Sequence, residues 1–199
     1  MSFNPKDHYY HKAKKENFLA RSIYKLQEID QKYKIINKGD KIVDFGYFPG
    51  SWIQYSSSKV GPDGLVVGID IQAVSGKLST LENVTVFERD IFSVEDVKDL
   101  GLSDKVDVVV SDMAPNTMGV QSVDQARSLE LVEKVFEILP TFLRINGNMV
   151  IKVFDGNDAQ VFLKTIKRQF EKTYKLKPKS TRKISKEFFF IGVGFKGRE

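Results

Sequence analysis

The chain has no cysteine, and its two histidines, His8 and His11, lie close to the N-terminus. Without thiols there are no disulfides and no thiolate metal ligands, and two terminal imidazoles are too few for a metal centre, so no metal is expected. Also missing is any stretch of about 18 apolar residues, which argues against a membrane-spanning helix. The opening MSFNPKDHYY is polar where a secretory signal would be apolar, and a cytoplasmic protein is expected. No internal repeat, low-complexity tract or linker divides the sequence. What is present suits one compact domain, since 199 residues at 41% hydrophobic can bury a real core.

The net charge of +5 conceals a segregation. Residues 1–41 carry 10 Lys+Arg against 5 Asp+Glu, residues 42–163 carry 9 against 18, and residues 164–199 carry 12 against 3. A basic head and a basic tail thus flank an acidic middle. If the fold brings head and tail to one face, they form a cationic platform for a phosphate backbone; otherwise the lysines simply keep the surface soluble.

Periodicity predicts alternating strands and helices. Leu19, Ile23, Leu26 and Ile29 recur at helical spacing and place a first helix over about 14–31. Apolar, β-branched runs place strands near 41–45, 65–70, 84–88, 106–111 and 147–154. Helices are expected between them at about 50–59, 76–80, 93–99, 122–143 and 157–170, the last opening at Asn157 or Asp158. A closing pair of strands, 173–178 and 187–195, flanks the basic string KPKSTRKISK. The expected architecture is α/β: a mainly parallel seven-stranded sheet with helices on both faces and an antiparallel C-terminal edge hairpin.

Several strands end in chemistry. In KIVDFGYFPGSW a strand closes at Asp44, Gly46 and Gly50 allow backbone to approach a ligand, and a helix starts near Trp52, an arrangement that suits a nucleotide-like cofactor. The next strand ends at Asp70, placed to accept from ribose hydroxyls, and the third is followed by Asp90, within reach of an adenine amino group. VDVVVSDMAPN delivers Asp112 to the same rim, and GNMVIKVF carries Lys152 inside a run that reads as buried on both faces. A lysine there is costly unless its ammonium finds a partner at the rim. Lys25 in ARSIYKL follows Arg21 by one helical turn, and Glu187 opens the aromatic strand EFFFIGVG, where it could equally guard a sheet edge.

In these strings the chain resembles the FtsJ family of RNA 2'-O-ribose methyltransferases over nearly its whole length. The resemblance implies a Rossmann-like S-adenosylmethionine-dependent fold and a Lys-Asp-Lys-Glu tetrad at Lys25, Asp112, Lys152 and Glu187. It implies S-adenosyl-L-methionine as cofactor, held by Asp44, Gly46, Gly50, Trp52, Asp70, Asp90 and Asp112. The family loop D-L-G-x-x-P-G-G-W has small residues at both x positions, where this chain has Tyr47 and Phe48, and Ser51 replaces the second glycine of the pair. These bulky side chains either point away from the pocket or crowd the cofactor.

The partner implied is RNA: ribosomal RNA or the large ribosomal subunit, with a tRNA anticodon loop as the alternative. An inactive RNA-binding assembly factor is the reading from outside the enzyme class. Lys14, Lys15, Arg21, Lys179, Arg182 and Lys183 are candidate phosphate contacts, and Tyr9, Tyr10 or Tyr24 could stack on bases, although each aromatic fits packing as well. A monomer is expected, with residues 1–40 as a basic helical extension and 41–199 as the catalytic core.

Overall fold

In the computed structural model, residues 7–72, 76, 78–115 and 118–198 are described. Two helices, α1 (His8–Lys15) and α2 (Ile23–Tyr33), precede the sheet. Then follow β1 (Lys41–Phe45), α3 (Ser51–Val60), β2 (Leu65–Asp70), β3 (Val84–Glu88) and β4 (Val106–Ser111). The chain continues through α4 (Gln121–Phe142), β5 (Leu143–Phe154), α5 (Asn157–Ile166), β6 (Phe170–Leu176) and β7 (Glu187–Phe195). The strands form one seven-stranded sheet in the order β3-β2-β1-β4-β5-β7-β6. Strands β1 to β5 are parallel, and β7 pairs antiparallel with both β5 and β6, so the closing hairpin lies at one edge.

Alternation along the strands sorts the core into two layers. Val43, Phe45, Val67, Ile69, Val109, Ile151 and Val153 pack with α4 and α5, while Ile42, Val66, Val108, Val110, Val150, Phe189 and Ile191 pack with Leu26 and Ile29 of α2 and Trp52 and Ile53 of α3. Both faces of the central strands are therefore covered, as their unbroken apolar runs require.

The continuous helix expected over 14–31 is instead two helices. Asn17 turns the chain with φ 60°, and α2 begins only at Ile23. The apolar spacing runs through the break because the connecting turn is itself half-buried: Phe18 packs on Ala13, Ile23 and Tyr24, and Leu19 packs on the α2/α3 layer. The helix expected at 93–99 resolves into two short 3-10 turns, Ile91–Ser93 and Val97–Leu100, capped by Asp90 and Asp96. The one expected at 76–80 falls partly outside the described residues, and residues 78–80 form turns. Strand β5 starts at Leu143 rather than 147, with a register shift against β4 that accommodates Asn146 at φ 63°. Helix α5 ends at Ile166 and runs into the 3-10 turn Lys167–Gln169, and its N-cap is Gly156 without a side-chain cap, not Asn157 or Asp158. Strand β6 covers Phe170–Leu176 where 173–178 was expected.

Candidate active site

The same alternation that builds the α2/α3 layer aims four charged side chains at one point. Val108 and Val110 lead to Asp112, Val150 leads to Lys152, and Ile191 and Phe189 lead back to Glu187, so all three charged groups emerge on the face that α2 covers. Lys152 lies opposite Phe189, and Phe154 opposite Glu187, which makes Lys152 and Glu187 diagonal neighbours on adjacent strands. Helix α2, anchored by Leu26 and Ile29, lowers Lys25 onto the cluster.

The contacts are close. Lys152 Nζ lies 3.1 Å from Asp112 Oδ1 and donates to the Asp112 main-chain oxygen at 2.5 Å. Lys25 Nζ lies 2.6 Å from Glu187 Oε1 and 3.6 Å from Asp112 Oδ1. Lys152 is 7% exposed, so its stem is packed and its ammonium is satisfied at the rim. Burial works against the charge on Lys25, but the carboxylates of Asp112 and Glu187 outweigh it and raise its pKa above the ordinary lysine value. The cluster thus holds two cations and two anions in mutual contact, within reach of solvent.

Asp112 also lines a second space. A cleft of about 380 Å³ opens over the ends of β1, β2 and β4, bounded by Gly46, Phe48, Asp70, Asp90, Phe92 and Asp112. Asp70 is fixed by two main-chain donors, the N–H of Phe48 at 3.0 Å and that of Gln72 at 2.9 Å. Asp90 accepts from the Phe92 N–H at 3.0 Å, and so shapes the turn that carries Phe92. Gly46 has φ 79°, and a Cβ there would lie 2.1 Å from Met113 Cγ, so only glycine lets this loop close on the cleft floor.

The bulky loop residues divide their tasks. Tyr47 is 2% exposed, with its ring turned into the core over Gly68, where a Cβ would meet that ring at 2.9 Å. Phe48 is 42% exposed and forms a wall of the cleft. Ser51 bonds Ser22 at the head of α2, Oγ to Oγ 2.8 Å, and the Trp52 indole donates to the Ser22 carbonyl at 2.9 Å. Trp52 is therefore buried beneath α2 rather than exposed in the cleft. Asp44 lies under the loop, with both carboxylate oxygens buried and without hydrogen bonds, and burial followed by the charges of Asp112 and Asp70 raises its pKa well above the carboxylate range. The fit to a nucleoside cofactor is good: glycines where backbone must give way, a fixed carboxylate at the end of β2, and an unsatisfied buried acid between them.

Comparison with known proteins agrees with this geometry. The family model described as FtsJ-like methyltransferase matches residues 18–195. The chain belongs to the FtsJ-like methyltransferase family. It is 44% identical to the ribosomal RNA large subunit methyltransferase E of Bdellovibrio bacteriovorus over 197 residues, 98% of this chain and 100% of the relative. The protein of the same name from Syntrophobacter fumaroxidans is also 44% identical, over 97% of this chain and 98% of its own. Among solved structures, a ribosomal RNA methyltransferase from Plasmodium falciparum superposes with a TM-score of 0.77 at 25% identity, covering 91% of this chain and all of its own.

In this FtsJ-like methyltransferase the basic head and tail do meet on one face. Arg21 donates to the Ser180 carbonyl and pairs with Asp7, Arg182 lies 3.9 Å from Asp7, and the Lys179 N–H donates to Glu28 at 2.8 Å. Burial, together with the neighbouring Arg182, lowers the Arg21 pKa against the opposing pull of Glu187. Arg21, Arg182 and Ser185 line a recess of about 240 Å³ that also reaches Lys25 and Glu187. Lys14, Lys15 and Lys183 are exposed. Tyr24 is buried and donates to Glu16 at 2.7 Å, and Tyr9 packs against it, so both serve the head's own packing, while Tyr10 is exposed. Ser22, Phe92 and Asp7 carry no signal in the sequence; Ser22 was recoverable only as the complement of the unusual Ser51.

Proposed function

We propose that the chain transfers a methyl group from S-adenosylmethionine to a ribose 2'-hydroxyl of large-subunit ribosomal RNA. The observation that carries this reading is that Asp112 belongs both to the cleft and to the Lys25–Lys152–Glu187 cluster, so a cofactor in one lies against a hydroxyl held by the other. When bound, the cofactor supplies a methyl carbon made electrophilic by its sulfonium. The chain's own work is alignment and proton removal. Lys152 Nζ holds the hydroxyl and takes its proton, Asp112 fixes that ammonium, and Lys25, braced by Glu187, places the sugar. Asp70, Asp90, Gly46, Gly50 and Asp44 hold the cofactor, and Trp52 contributes by fixing the start of α3 against α2.

On this reading residues 1–40 bind substrate and 41–199 carry the transfer, except that Lys25 reaches into the core. Lys14, Lys15, Arg21, Lys179, Arg182 and Lys183 take phosphates around the target sugar. The names and full-length match of the relatives favour ribosomal RNA over tRNA. The test is to map 2'-O-methyl groups in ribosomal and transfer RNA from cells with and without the gene. Loss of one ribosomal position supports the reading; loss of a tRNA position alone, or of none, overturns it.

A further inference from the structure

Asp44 is 1% exposed and, among the described residues, is the carboxylate whose two oxygens are both buried and both without a hydrogen bond. It lies in register with Gly68 of β2 and Val110 of β4. The charges nearest it are acidic: Asp112 past the end of β4 and Asp70 at the end of β2. The loop above contributes the buried Tyr47 phenol, which also lacks a partner. Helix α3, packed on this face, turns Trp52, Ile53 and Ser56 inward, while its Lys59 pairs with Asp30 instead. From α2 and β5, Lys25 and Lys152 stop at Asp112. No described cation forms an ion pair with Asp44.

A carboxylate in such surroundings keeps its proton, because the charged form would have neither water nor donors. The strand order sets Asp70, Asp44 and Asp112 side by side along the cleft floor. Asp70 is engaged by two N–H groups and Asp112 by two ammoniums, which leaves Asp44 as the acid with no donor of its own. Resting on the proposed cofactor, we infer that Asp44 is neutral in the empty cleft and ionises against the primary ammonium of the cofactor's amino-acid tail, so that cofactor binding releases a proton. The sulfonium carries no N–H, which makes the ammonium the cationic donor able to satisfy both oxygens.

The experiment is calorimetric titration of the full chain at about pH 6, where a free α-ammonium is still protonated, in buffers of differing ionisation enthalpy. About one proton should leave per S-adenosylmethionine bound. S-adenosylhomocysteine, which keeps the ammonium but lacks the sulfonium, should release the same, and methylthioadenosine, which lacks the tail, should release none. Asp44→Asn, with its fold checked by circular dichroism, should abolish the release and weaken S-adenosylmethionine about ten- to a hundredfold. Identical heats across buffers for the unaltered chain, equal release with methylthioadenosine, or release persisting in Asp44→Asn each overturn the inference while leaving the cofactor assignment standing. Absence of binding by all three nucleosides overturns both.

Discussion

Replacing Lys152 separates its two roles. Its ammonium neutralises Asp112 at 3.1 Å and donates to the main-chain oxygen of the same residue, from a side chain 7% exposed. Breaking a buried pair by removing one partner costs about 3–5 kcal/mol when the remaining charge is stranded. Here Lys25 Nζ, 3.6 Å from the same Oδ1, still compensates Asp112. Lys152→Ala should therefore cost about 2–3 kcal/mol, part of it from the emptied space of the lysine stem. Methyl transfer should fall about a hundred- to ten-thousandfold, the scale for losing a positioned acid-base group. Lys152→Arg should recover much of the stability, because the charge returns, but little of the transfer, because a guanidinium does not give up its proton. The assay is single-turnover transfer of labelled methyl to ribosomal RNA, with denaturant melts of each variant. Near-normal transfer by folded Lys152→Ala or Lys152→Arg would refute the assignment of proton removal to this residue.

The remaining predictions concern the cleft and the basic face. Asp70→Ala removes the acceptor of the Phe48 and Gln72 N–H groups, and should weaken S-adenosylmethionine about tenfold or more by calorimetry; unchanged affinity would free Asp70 from the ribose role. Charge reversal at Lys179, Arg182 and Lys183 should flatten the salt dependence of RNA binding, the slope falling by about 0.7 for each single-strand phosphate that is no longer neutralised, with cofactor affinity unaltered. Because Asp44 has a folded pKa raised above its unfolded value of 3.8, the unfolded chain loses that proton first as pH rises, and stability falls between the two values. Ligand-free Asp44→Asn should accordingly melt above the unaltered protein at neutral pH, with the gap closing below about pH 4; a gap independent of pH would show that Asp44 is ionised in the fold.

The sheet and tetrad were legible because period-two alternation is a local property. Once Val108, Val110, Val150 and Phe189 share a face, Asp112, Lys152 and Glu187 must share it too, and strand order brings them together. The break at Asn17 was not legible, since Phe18 and Leu19 are half-buried in the turn and keep the helical spacing of their neighbours. The fate of Tyr47 depended on the open space over Gly68, one strand away, which the loop by itself does not reveal. Trp52 was drawn to the cleft by its place in the motif, yet its indole belongs to the α2 contact because Ser22 offers a carbonyl there. The clamp of Arg21 and Arg182 on Asp7 joins residues far apart in sequence, and only the folded head and tail expose it.

The most direct measurement is to incubate the purified protein with methyl-labelled S-adenosylmethionine and large-subunit ribosomal RNA, then hydrolyse the RNA in alkali. A methylated 2'-oxygen cannot attack the neighbouring phosphodiester, so label on the ribose survives in an alkali-resistant dinucleotide, while label on a base is released in a mononucleotide. The proposed function predicts label in one resistant dinucleotide, abolished in Lys152→Ala. Label recovered in mononucleotides, or equal labelling with Lys152→Ala, would contradict it.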